Sequence, residues 1–94
     1  MAILGTSQKQ PREVLDVDVN YTTVLAGRSD TIVSQTTEVA PAGLTILSVV
    51  RTGNVVKLTL GSGTADVLYK VTILATSSAG LVYEDEFNIL VTEV

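Results

Sequence analysis

From residue 13 to the end, the chain alternates apolar and polar residues in short runs, and this period of two predicts strands. The first run is Glu13-Val14-Leu15-Asp16-Val17-Asp18-Val19. Leu15, Val17 and Val19 share one face, while Val14, Asp16 and Asp18 share the other, wetter one. Leu25 to Asp30 reads as a loop, and Thr31 to Val39 as the next strand. Ala40-Pro41-Ala42-Gly43 is a turn, because Pro pre-sets φ and Gly is free to take a positive one. Leu44 to Val50 and Val55 to Leu60 are strands joined by the hairpin signal Arg51-Thr52-Gly53-Asn54. In the second of these, Val56, Leu58 and Leu60 point one way and Lys57 and Thr59 the other.

Gly61 to Asp66 reads as a flexible connection. The clearest strand follows, from Val67 to Thr76, with Val67, Tyr69, Val71, Ile73 and Ala75 on one face. Ser77-Ser78-Ala79-Gly80 is a turn. A last strand from about Leu81 to Val91 places Tyr83, Phe87, Ile89 and Val91 inward and Glu84, Glu86 and Asn88 outward. No segment sustains a helical period. Six or seven short strands, with turn signals roughly every 8–12 residues, predict an all-β sandwich or barrel. Residues 1–12 are polar around Lys9, Pro11 and Arg12. They are expected to be a flexible N-terminal arm that orders on a neighbour, with Ile3 and Leu4 as anchors, and residues 13–94 to be a single β-sandwich domain.

Leu60, a Gly/Ser/Thr/Asp connection, and then Tyr69-Lys70-Val71-Thr72 resemble the E–F corner of immunoglobulin-like and fibronectin III-like domains. The fold class expected is therefore an immunoglobulin-like/fibronectin III-like β-sandwich of about seven antiparallel strands. Tyr69 would pack its ring in the core and bond its hydroxyl back to the connection.

Composition narrows the chemistry. The chain has 94 residues, 46% of them hydrophobic and with no Cys and no His. That suffices for a modest core and excludes intrachain disulfides and Cys- or His-ligated zinc. The net charge is −4 and no basic stripe is visible, so nucleic acid is not an expected partner. No apolar run is long enough to span a bilayer, and Met1-Ala2-Ile3-Leu4-Gly5 is too short an apolar stretch for a signal peptide. No membrane association is expected, and cytoplasmic synthesis is.

The candidate motifs fail one by one. Asp16-Val17-Asp18-Val19-Asn20 opens like a calcium loop, but the positions that need Gly and Glu hold Tyr21 and Gly27. A looser cation site would combine Asp16 or Asp18 with Glu84, Asp85 or Glu86; the blander reading is alternating acids on wet faces. Glu84-Asp85-Glu86 could pair carboxylates for acid–base work only in a cleft that splits their pKa values. On an exposed strand these acids solubilise and guard an edge. Gly61-Ser62-Gly63-Thr64 lacks the Lys and helix of a phosphate loop. No His exists to serve a serine nucleophile, and nothing marks a Ser–Lys dyad. Asn20-Tyr21-Thr22 is a chance glycosylation sequon. Catalytic, cofactor and metal residues are therefore expected to be none, and the chain is expected not to be an enzyme.

Taken together, several elements are similar to a group of small virion structural proteins of tailed bacteriophages. Leu25-Ala26-Gly27-Arg28-Ser29-Asp30-Thr31-Ile32 resembles that group's L-x-x-G-D-T-I loop with an insertion. Val39-Ala40-Pro41-Ala42-Gly43-Leu44 resembles its V-P-x-G-L, and Gly61-Ser62-Gly63 through Tyr69-Lys70-Val71-Thr72 its G-G-x-x-G-x-x-Y-x-V-T. Thr76 to Gly80 and Phe87 to Val91 resemble its closing T-x-x-G and strand. The likeness covers about four-fifths of the chain; Thr37 stands where members often carry Trp. It implies a virion location, no catalytic residue, and other virion proteins as multi-copy partners, either major capsid protein or neck and tail proteins. Capsid decoration is the first expectation. An accessory module of neck, tail or fibre that contacts the host surface is the alternative.

Overall fold

The computed structural model describes residues 2–25 and 29–93. The loop residues Ala26, Gly27 and Arg28 lie outside them, as do the side chains of Ile3 and Leu4 that were expected to anchor the arm. The strands are β1 (Ala2–Lys9), β2 (Leu15–Asn20), β3 (Ile32–Ala40), β4 (Leu44–Thr52), β5 (Val55–Ser62), β6 (Val67–Ser77) and β7 (Val82–Val91). A single helical turn, α1 (Thr22–Leu25), follows β2 and takes in Leu25, which the sequence placed in a loop. The Asn20 side chain caps it by accepting from the Thr22 amide at 2.9 Å.

The strands form two sheets, one of order β1-β7-β6-β3 and one of order β2-β5-β4. Their inward residues meet in one core, an arrangement compatible with a β-sandwich. Val56, Leu58 and Leu60 of β5 and Val19 of β2 come from one sheet. Tyr69, Val71, Ile73 and Ala75 of β6 and Phe87, Ile89 and Val91 of β7 come from the other. The parity read from the sequence thus names the apolar residues that β5, β6 and β7 turn to the core. Period two sends alternate residues to one face, and only that face leaves water.

Two expectations need correction. All pairings but one are antiparallel: β1 runs parallel to β7, from Ala2 beside Asp85 to Lys9 beside Val91. The flexible arm expected over residues 1–12 is therefore a strand over Ala2–Lys9. Its polar side chains hid this, because the pairing uses backbone groups and residues 5–8 stay exposed.

Lys9 sets the root of that strand. It is 1% exposed, and its ammonium donates to the carbonyls of Gln10 (2.8 Å), Pro11 (3.2 Å) and Ser62. Burial pushes this ammonium below the usual lysine range, opposed by the nearby Glu13 and Tyr69.

The connection after β5, expected to be flexible, is pinned. Gly61 and Ser62 belong to β5, and the Thr64 amide donates to the Tyr69 hydroxyl at 2.9 Å. Gly43 makes room for that hydroxyl. It has φ +132°, and a Cβ there would sit 2.7 Å from Tyr69 Oη.

Candidate functional site

The acidic residues singled out in the sequence do not come together. Asp16 and Asp18 stand exposed on β2, in the three-stranded sheet, where Asp16 meets Lys57 at 3.8 Å. Glu84, Asp85 and Glu86 lie on β7, in the other sheet. Among the described residues no three His, Cys, Asp or Glu side chains are grouped to hold a metal ion.

The acids of β7 are also not the solvated edge guards expected of them. β7 is flanked by β1 and β6, so it is not an edge. Glu86 is 8% exposed and pairs with Lys70 at 3.7 Å. Asp85 stands opposite the fully buried Ile73 and so shares the inward face. There it approaches Tyr21, whose buried hydroxyl has no hydrogen-bond partner within bonding geometry among the described residues. Burial first, and the Asp85 carboxylate second, hold this phenol well above the usual tyrosine range.

Two polar devices left no periodic signal in the sequence. Arg51 of β4 reaches across to β3: Nε donates to Gln35 Oε1 (3.0 Å), Nη1 to the Ile32 carbonyl (2.9 Å) and Nη2 to the Val33 carbonyl (3.2 Å). Asp30 braces the turn after β6, its Oδ1 accepting from Ser78 Oγ and from the amides of Thr31 (2.9 Å) and Ala79 (3.1 Å). Hydrogen bonds from Ser78 and then Ser77 hold its pKa down to about 2, against an ordinary 3.8.

A depressed carboxyl pKa stabilises the fold fully above the unfolded value and loses that effect as pH falls toward the folded one. Thermal stability is therefore expected to decline between about pH 4 and pH 2, and more shallowly in Asp30→Asn, when melting is followed by circular dichroism at stepped pH. An equal slope in the variant would assign the acid sensitivity to other carboxylates.

The other lysines are engaged as well. Lys57 faces Asp16 and Lys70 faces Glu86, and among the described residues no lysine ammonium bonds a serine hydroxyl. No helix of the described residues is long and apolar enough to cross a membrane.

The fold and these side chains define a class: a small all-β chain whose charged groups tie its own strands together. Over residues 9–90 the chain matches the family of the podophage GP4 fiber-tail adaptor protein gp77. It belongs to that family, and is thus a structural protein of a bacteriophage virion. The resemblance drawn from its turns and strands led to the right group. Capsid decoration, the first expectation, is not supported, because the matching family is one of tail adaptors; the tail alternative fits better. No curated protein matches the chain.

Proposed function

We propose that this chain is a non-enzymatic adaptor of a podophage tail, binding other tail proteins where fibre and tail meet. The observation that carries the reading is the family match across residues 9–90. Its partners are tail or fibre proteins in several copies, so modest contacts gain by repetition. Nucleic acid and membrane have no place in the reading, and neither does the major capsid protein. The sandwich in this reading is of the immunoglobulin type. The orders β2-β5-β4 and β7-β6-β3 support this, being those of strands B-E-D and G-F-C. So does the Tyr69 hydroxyl bonded back to Thr64.

The test is a phage lacking this gene. Its particles should have filled heads but lack fibres and fail to adsorb, and the purified chain should restore them. In wild-type virions the chain should be present at the copy number of tail proteins. Full fibre content without the chain, or a copy number matching the capsid subunit, would end the proposal.

The reading needs no metal. EDTA is expected to leave both the melting temperature and attachment to the tail unchanged, since only an ion bound to the folded state would add stability. A fall in melting temperature that calcium reverses would make a site of the acids on β2 and β7.

A further inference from the structure

The two sheets leave four strand edges open: β1 and β3 on one, β2 and β4 on the other. The edge strand β1 is seated on β7 in two unequal parts. Thr6 to Lys9 lie in unbroken register with Asn88 to Val91. The buried Lys9 clamp, and the Thr92 amide that donates to the Lys9 carbonyl at 2.8 Å, anchor that part. Ala2 and Ile3 lie beside Asp85 and Glu86, and a register break separates them from Thr6. Gly5 stands in the break with φ +123°, and a Cβ there would meet nothing within 4 Å. Its glycine therefore serves the backbone and not the packing, and it divides β1 into an anchored half and an outer half. β7 itself begins at Val82, and among the described residues Val82, Tyr83 and Glu84 have no partner on β1.

Charge at this end is unbalanced. Glu84 and Glu86 share the outward face of β7, and Glu38 of β3 lies across Thr72 from Glu86. Against these three carboxylates β6 sets Lys70, which meets Glu86 at 3.7 Å; among the described residues no ion pair reaches Glu84 or Glu38. β1 brings no relief. From Ala2 to Gln8 it is uncharged, and the residue in register with Glu86 is an isoleucine. On the inward face Asp85 lies toward Tyr21, and its neighbour on β1 is an alanine. Period two sends alternate residues of an added strand to the outward face. The strand that matches this edge therefore carries basic residues at alternate positions, for Glu84 and Glu86, with a small residue between them.

We propose that β7 from Val82 to Phe87 is a docking edge for an extended basic strand of another virion protein, Lys or Arg alternating with a small residue, which pairs with β7 in place of Ala2–Gly5. β1 shows that this edge accepts an added strand, and the carboxylates select a basic one. The anchored half, Thr6–Lys9, stays in place and keeps the sandwich closed. Val82, 62% exposed, lies where the arriving strand first meets β7. The owner of that strand rests on the tail reading, but the chemistry of the edge does not. Binding to the purified chain and the phage lacking the gene are separate measurements, so either proposal can fail alone.

Fluorescence anisotropy with a labelled synthetic peptide of alternating Lys and Ala tests it on the purified full-length chain. Removing residues 1–5 should tighten binding by about tenfold, because the peptide no longer waits for the outer half of β1 to lift. Glu84→Lys, at a partly exposed outward position, should weaken it by about tenfold. Both variants keep the Lys9 clamp and should fold, which circular dichroism checks. A peptide with Pro in place of each Ala keeps the charge but cannot pair as a strand, and should not bind. Hydrogen exchange reads the edge without a substitution: the peptide should add protection to amides from Val82 to Phe87 and not to those of β2 or β4. No binding by either the intact or the shortened chain overturns the proposal. So does equal binding of the Pro peptide, which would mean attraction by charge alone, or a Glu84→Lys chain that binds as the wild type does. Added protection on β2 or β4 in place of β7 overturns it as well.

Discussion

Tyr69→Ala is expected to cost about 3–5 kcal/mol, the range for truncating a large aromatic in a packed core. Tyr69 is 1% exposed and lies on β6 beside Ile89 of β7. Its hydroxyl is a second attachment, accepting from the Thr64 amide and packing against Gly43. Tyr69→Phe keeps the ring and loses only that bond, so it should cost about 1 kcal/mol. Domains of this kind have about 5–15 kcal/mol in total, so the alanine variant should lose a large share of the fold's stability. Urea titration of both variants measures the two parts. A Tyr69→Ala cost near that of Tyr69→Phe would mean that the ring contributes little and that the corner holds by its hydrogen bond alone.

Lys9→Met should be the next most damaging change, at about 2–3 kcal/mol. Its ammonium satisfies the carbonyls of Gln10, Pro11 and Ser62 in a nearly waterless place, and a methionine leaves all three without that donor. At this chain length the loss corresponds to a fall in melting temperature of about 10–20 °C. Two truncations separate the clamp from the strand. Removing residues 1–8 uncovers β7 but keeps the lysine, whereas removing residues 1–9 loses both. The second truncation should be clearly the less stable. Equal melting temperatures for the two truncations and the intact chain would show that residues 1–9 behave as the flexible arm their polarity suggested.

The sequence by itself determined the strands from β2 to β7, the faces that carry their apolar residues, and the place of Tyr69. Those features are local: a period of two names the face, and Gly, Pro and Asn mark where a strand ends. It also determined what the chain lacks, because a missing His or Cys is read directly. Its turns and alternations were enough to reach a group of phage virion proteins, but not to separate head from tail, since turn chemistry serves either location.

Tertiary structure decided which strand lies beside which. That choice rests on pairings across the whole chain, such as Ala2 with Asp85, which no window of neighbouring residues encodes. Once β1 covers β7, the acids at 84–86 cease to guard an edge, and Glu86 becomes a buried partner of Lys70. Once the chain turns back on itself, Lys9 finds the Ser62 carbonyl 53 residues away, and what reads as a solvated lysine becomes a clamp. The free edge of β4 is likewise a product of topology. The run Leu44 to Val50 reads as one more apolar strand, and only the sheet order leaves one of its sides without a neighbour.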